Sequence, residues 1–273
     1  MKTWLITGAS SGLGRLMSER LLARGDRVLA CIRREQAMAD LQQTYGEQLQ
    51  IVALDLAQTD RIAPTIADAF KAVERIDVVV SNAAYGLFGA AEELSDAQID
   101  RQIATNLTGS IQLIRAVIPL LRQQGGGRIA QISSEGGQVA YPNFSLYHAS
   151  KWGIEGFVEA VRQEVASFGI DFLLVEPGPT ATNFATGLDI ADALEVYRDN
   201  ASGQLRRAIL SGDFTIAGDA GKCVTAMIET LDKPSMPLRL ALGSTAYQHI
   251  EAALESRLAE LRAQRDVAFG ADV

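Results

Sequence analysis

The feature that most constrains this chain is an alternation of short strand-like runs with longer helical stretches, beginning at the first residues. The runs are Trp4 to Thr7, Val28 to Ile32, Gln50 to Ala53, Ile76 to Ser81, Arg128 to Ser133, Phe172 to Glu176 and Leu238 to Leu242. This rhythm predicts an α/β fold, a doubly wound parallel sheet of seven strands with helices on both faces. Leu13 to Arg24 shows how each crossover is built: an amphipathic stretch stops at Gly25, a residue able to take the left-handed conformation that ends a helix.

The pattern loosens from 183 to 218, and an insertion there is expected to form a substrate lid over the carboxyl ends of the strands. It resumes at Asp219. After the last strand an extra C-terminal helix is expected over about 245–265, with Ile250, Leu254, Leu258 and Leu261 on one stripe. Such a stripe needs a surface to cover, either the protein's own core or the seam of a homodimer. Neither repeat nor linker divides the 273 residues, so 1–273 reads as a single domain.

Composition removes several function classes. At 48% hydrophobic and 21% charged the chain is ordinary for a globular protein, and no apolar run approaches the roughly 18 residues a membrane helix needs. Met1 and Lys2 lead directly into the first strand, which leaves no room for a signal peptide and points to the cytoplasm. A formal charge of −8 disfavours a nucleic-acid partner. Cys31 and Cys223 lack metal or redox spacing and read as buried thiols, so no metal site is expected.

Between the first strand and the first helix lie Thr7, Gly8, Ala9, Ser10, Ser11, Gly12, Leu13 and Gly14. Glycines here let the backbone turn tightly and approach a pyrophosphate, while the helix N-terminus offers free N–H groups and a partial positive charge. The spacing differs from G-x-G-x-x-G, but its place after strand one makes it a dinucleotide candidate. The second strand ends in Ile32, Arg33 and Arg34, with no carboxylate to hold a ribose 2′-hydroxyl. A guanidinium there suits a 2′-phosphate, which favours NADP(H). The plain alternative is a solvated arginine loop.

Tyr147 and Lys151 begin another helical stretch, and a spacing of four puts them on one face. A tyrosine hydroxyl titrates near 10, too high for ready proton exchange at neutral pH. A cation roughly 5 Å away, at an effective dielectric of about 20, favours the phenolate by ~3 kcal/mol, or about two pKa units. Thirteen residues before Tyr147 stands Ser134, which with Ser133 closes a predicted strand at the ligand crevice. One of these hydroxyls can hold a substrate oxygen, and a turn or cap remains the plain reading of Ser133.

With these motifs in this order, the chain resembles the short-chain dehydrogenase/reductase family from its first strand to about Leu242. The resemblance implies a Rossmann-type fold and an NADP(H)-dependent oxidoreductase moving a hydride between the nicotinamide and a ketone, aldehyde or secondary alcohol. It implies that Asn106, Ser134, Tyr147 and Lys151 are catalytic: Ser134 orients the carbonyl oxygen, Tyr147 exchanges the proton, Lys151 also holds the nicotinamide ribose, and Asn106 holds a relay water. The cofactor residues it implies are Gly8, Ser10, Ser11, Gly12, Leu13 and Gly14 in the loop, with Arg33, Asp55, Leu56, Asn82 and Ala83 on the adenosine side. Pro177, Gly178, Thr180 and Thr182 match the segment whose threonine touches the carboxamide. Ser81 and Ala84 depart from the family's Asn-Asn-Ala-Gly segment.

His148, beside Tyr147, reads as a surface or crevice-wall residue. Glu135 is similar to the acid of longer, sugar-nucleotide dehydratase relatives, a minor alternative chemistry. Tyr141, Phe144 and Trp152 flank the site as pocket walls or core. Phe184, Leu188 and Tyr197 in the lid are expected to set specificity. The reading from a different class is an NADP(H)-binding redox sensor without turnover, which the four retained catalytic residues argue against.

Overall fold

The computed structural model describes residues 1–212 and 216–273. Among the described residues nine strands run in chain order: β1 (Thr3–Thr7), β2 (Arg27–Ile32), β3 (Leu49–Ala53), β4 (Val78–Ser81), β5 (Leu87–Phe88), β6 (Gly127–Ile132), β7 (Ile170–Pro177), β8 (Asp189–Ile190) and β9 (Arg239–Leu242). Seven of them form one sheet in the order β3-β2-β1-β4-β6-β7-β9, with every neighbouring pair parallel. This is the Rossmann-type sheet that the alternation predicts. The two-residue strands β5 and β8 pair separately, beyond what periodicity can signal.

The two faces of the sheet arise from side-chain alternation along each strand. Trp4, Ile6, Val28, Ala30, Val78 and Val80 face one way and pack with Met17 and Leu21 of α1 (Gly12–Ala23). The chain continues through α2 (Ala39–Tyr45), α3 (Thr59–Lys71), α4 (Asp96–Ile103), α5 (Gly109–Gln123), α6 (Ser145–Val165), α7 (Ala201–Ser211) and α8 (Ala220–Asp232). Val224, Met227 and Leu231 of α8 complete the first layer. Leu5, Leu29, Val79, Ile129 and Leu174 face the other way, against Ile62 and Ile66 of α3, Leu113 and Val117 of α5, and Ile154 and Val158 of α6. Complete burial of such side chains is worth about 1.5–3 kcal/mol each, so these two layers dominate what holds the sheet between its helices.

The chain returns from β3 on one side of β1 to β4 on the other, and the loops beyond the carboxyl ends of β1 and β4 diverge at that reversal. The expected lid, 183–218, leaves beside β7 and closes through a bridge between Thr180 and Gly218. It is more ordered than a polar loop. It contributes β8 to the small ribbon and carries α7, whose N-terminus is capped by Asn200 accepting from the amides of Ser202 and Gly203. Residues 213–215 of the expected lid lie outside the described residues.

The C-terminal helix α9 runs Ser244–Ala263, followed by α10 (Arg265–Phe269). Its expected stripe divides. Ala246 and Ile250 are buried, but Leu254, Leu258 and Leu261 are 50, 45 and 65% exposed, so along the apolar stripe the body covers only the first two turns. Twenty residues of helix extend about 30 Å, and α9 outruns the face it packs on. Among the described residues, no helix is long and apolar enough to cross a membrane.

Candidate active site

Thr7 ends β1 and ties the glycine loop to the chain beyond β4. Its Oγ1 accepts from the amides of Asn82 (2.9 Å) and Ala83 (3.1 Å). The Asn82 amide group donates back to the carbonyls of Thr7 (2.9 Å) and Gly8 (3.3 Å). Gly8 and Gly12 take φ of +65° and +53°, which side chains disfavour. A Cβ at Gly14 would stand 2.6 Å from both the Gly8 carbonyl oxygen and the Asn82 amide nitrogen, so the first turn of α1 rests directly on the loop.

Ser11 precedes α1 in extended backbone. Its side chain accepts no hydrogen bond from the helix amides, and no acid occupies the first turn. Ser10 and Leu13 flank this turn, both half-buried. A bare, positively polarised helix end over a glycine cradle fits the pyrophosphate of a dinucleotide. Arg33 and Arg34 are exposed at the end of β2 and make no ion pair among the described residues, whereas Arg15 is tied to Glu19 and Asp40. At the end of β3, Asp55 accepts from the Ala57 amide (3.0 Å), and the Leu56 carbonyl oxygen would lie 2.5 Å from a Cβ at Gly109.

Across the crevice, Pro177 ends β7 and Gly178 donates to the Leu242 carbonyl (3.0 Å). Thr180 donates to the Gly178 carbonyl (2.8 Å), and the Thr182 hydroxyl accepts from the Phe184 amide (3.3 Å). A Cβ at Gly12 would come 3.8 Å from that of Thr182, so this segment and the glycine loop face each other.

Ser134, Tyr147 and Lys151 meet at the carboxyl end of β6. The Ser134 hydroxyl accepts from the Gly136 amide (3.0 Å) and donates to the Pro177 carbonyl (3.5 Å), beside the buried Tyr147. Tyr147 is buried, and burial pushes its hydroxyl up to about 12, with the Glu135 charge adding to the rise and Ser134 opposing it. The hydroxyl is thus raised, opposite to the depression expected from Lys151. The ammonium lies over the Tyr147 ring, 5.6 Å from its centre, and donates to the Ile132 carbonyl (2.9 Å), with no hydrogen bond to the hydroxyl. Burial brings Lys151 down to about 8, against the pull of Glu155.

Asn106 sits at the centre of a single π turn, Ala104–Thr108, and is buried. Its side chain donates to the Tyr85 carbonyl (2.8 Å) and accepts from the Tyr85 amide (3.1 Å). The side-chain amide of Asn106 thus anchors the chain after β4. Asn82 likewise braces the glycine loop through its side chain.

His148 is buried, not at the surface, because both ring nitrogens serve the backbone. Nε2 accepts from the Tyr141 amide (2.9 Å) and Nδ1 lies 2.9 Å from the Gly136 carbonyl, which fixes a neutral ring with its proton on Nδ1. Burial lowers its pKa. Glu135 is turned toward Tyr141, whose hydroxyl donates to it (3.1 Å), and toward His249 of α9 (3.4 Å). Trp152 is 44% exposed beneath the Arg257 guanidinium, whereas Phe144 packs edge-on against Tyr147. From the lid, Phe184 covers Tyr147 with ring centres 5.5 Å apart, and Phe184 and Leu188 close onto Gly86, where a Cβ would meet them at 2.8 and 2.4 Å.

Residues 2–192 match the family model for short chain dehydrogenase. The chain belongs to the short-chain dehydrogenase family. Among its relatives, Oxidoreductase BOA17 of Botryotinia fuckeliana is 33% identical, with 93% of each chain covered. A short-chain dehydrogenase from Streptomyces avermitilis superposes with a TM-score of 0.90 at 36% identity, over 99% of this chain and 98% of that one. The family fold extends to a serine dehydrogenase complexed with NADP+, TM-score 0.73 at 23% identity, covering 88 and 94%. This short-chain dehydrogenase is therefore an oxidoreductase by family.

Proposed function

We propose that this single domain, 1–273, is an NADP(H)-dependent reductase of a ketone or aldehyde, able to run in reverse on a secondary alcohol. The observation that carries the reading is the buried Tyr147 hydroxyl beside Ser134 at the carboxyl end of β6, with the glycine cradle and the Thr182 segment facing each other. When bound, the nicotinamide supplies the hydride. Gly8, Gly12, Gly14 and the first amides of α1 would hold its pyrophosphate, with Asp55, Leu56 and Ala83 along the adenosine. Arg33, exposed and without an ion pair among the described residues, would take the 2′-phosphate.

Ser134 would hold the carbonyl oxygen by a hydrogen bond while Tyr147 donates its phenolic proton to that oxygen. A hydroxyl raised to about 12 stays protonated at neutral pH, which suits an acid in the reducing direction. Lys151 would place its positive charge against the phenolate left behind. Phe184 over Tyr147 excludes water and presents an apolar wall, so the substrate carbonyl carries an apolar group on that side.

The test is NADPH consumption against a panel of carbonyl compounds, in parallel with NADH and with Tyr147→Phe. Turnover is expected with NADPH and should drop by about 10²–10⁴ in the variant, while NADPH affinity stays. Unchanged turnover in Tyr147→Phe overturns the acid role. Binding that persists with no turnover by the parent protein on any carbonyl would instead support a sensor. Arg33→Asp should reverse the preference toward NADH, and an unchanged ratio would overturn the 2′-phosphate role.

A further inference from the structure

Behind the catalytic strand ends lies a second group of charges. Glu155 stands one helical turn after Lys151 on α6, as Lys151 stands one turn after Tyr147, so the three share a face. Glu155 and Glu176 are 3% and 1% exposed. Glu155 Oε1 accepts from the Ser133 hydroxyl (2.5 Å), and Oε2 accepts from the Gln138 amide (2.6 Å) and the Arg239 guanidinium (3.2 Å). Glu176, near the end of β7, takes the same Gln138 amide at 3.4 Å and lies 3.0 Å from Arg239 Nε as an ion pair. Arg239, on β9, also reaches the exposed Glu159.

This arrangement is costly as mere packing. Two buried carboxylates against one guanidinium are often no better than apolar side chains of the same volume. Burial and the neighbouring Glu155 charge raise the pKa of Glu176. The loop after β6 approaches closely because Gly137 lacks a side chain, and a Cβ there would stand 1.9 Å from Glu155 Oε1. Lys151 needs an anion: its hydrogen-bond partner, the Ile132 carbonyl, is neutral, and Glu155 is the carboxylate that favours its charged form.

We propose that Glu155, fixed by Ser133, Gln138 and Arg239, is a positioning residue that keeps Lys151 charged beneath Tyr147 and ties the Ser133–Gln138 loop to α6. It supplies the counter-charge from behind while touching neither substrate nor cofactor. The consequence for catalysis rests on the acid role of Tyr147; the placement of charge around Lys151 does not.

The chain has five lysines, of which Lys151 alone is buried, so a ¹³C-lysine NMR titration resolves it, with Lys151→Arg for assignment. The titration uses neither substrate nor cofactor, so its outcome is independent of whether any carbonyl is reduced. Glu155→Gln should lower the Lys151 midpoint by about one pH unit or more, the scale of an opposite charge one helical turn away. Glu159→Gln, which removes an exposed partner of the same arginine, should shift it by less than about a third of a unit. If Glu155→Gln does not fold, the double variant Glu155→Gln with Arg239→Gln removes opposite charges together, and a smaller fall in the same direction is expected. A midpoint unchanged in the folded variant overturns the proposal.

Discussion

Tyr147 and Lys151 are displaced in opposite directions by the same cause. Burial disfavours the phenolate and the ammonium alike, raising the one to about 12 and lowering the other to about 8. Lys151 is charged below its folded pKa, so the kcat/KM for carbonyl reduction should hold through neutrality and decline as pH rises past about 8. A flat profile to pH 10 would contradict that. His148 gives a second signed prediction. Its folded pKa is depressed, so the stability its neutral form contributes is present above the ordinary histidine value and is lost as pH falls through the folded value. His148→Leu should therefore melt with less acid sensitivity than the parent. It should also lose about 1–3 kcal/mol at neutral pH, because the Tyr141 amide and Gly136 carbonyl lose their partner. Ser134, Tyr147 and Lys151 are legible in sequence because strand end and helix turn fix them locally. The bracing contacts of Asn82, Asn106 and Glu155 are not, since their partners lie 75, 21 and 22 residues away and only the assembled sheet brings them together.

The glycine loop and the first helix act as one element. Gly14→Ala would drive a methyl into the Gly8 carbonyl and the Asn82 amide, so α1 must lift from the loop. Overpacking of this kind costs about 1–3 kcal/mol. Cofactor affinity, measured by NADPH fluorescence, is expected to fall by at least about tenfold, and retained affinity would show that α1 can shift without disturbing the cradle. All seven strands of the main sheet are visible as apolar runs. The β5–β8 ribbon is too short to carry a period, and it forms only because the lid folds back along the chain after β4. The stripe on α9 misleads for a related reason: periodicity marks which face is apolar, not how far along the helix a partner extends.

Across the whole molecule, α9 links the far end of the chain to the loop after β6. Ala246 packs on Gly178, Arg257 donates to the Gln138 carbonyl (2.7 Å), and His249 stands 2.8 Å from the Tyr141 hydroxyl. Ending the chain at Gly243 should lower stability by roughly 3 kcal/mol or more through the lost burial of Ile250 and Ala246, read by denaturant unfolding. An unchanged midpoint would make α9 an appendage. The lid is tied in a different manner. It departs and returns at one point, where Ala181 donates to the Gly218 carbonyl (2.9 Å) and Gly218 to that of Pro179 (3.0 Å). Closing a loop whose ends are already pinned costs little more when the loop grows, about 0.6 kcal/mol for each doubling of length. Descendants of this chain can therefore exchange the inserted segment wholesale while the sheet, cradle and tyrosine stay as they are. The inserted segment and the sheet beneath it are in that sense separately heritable.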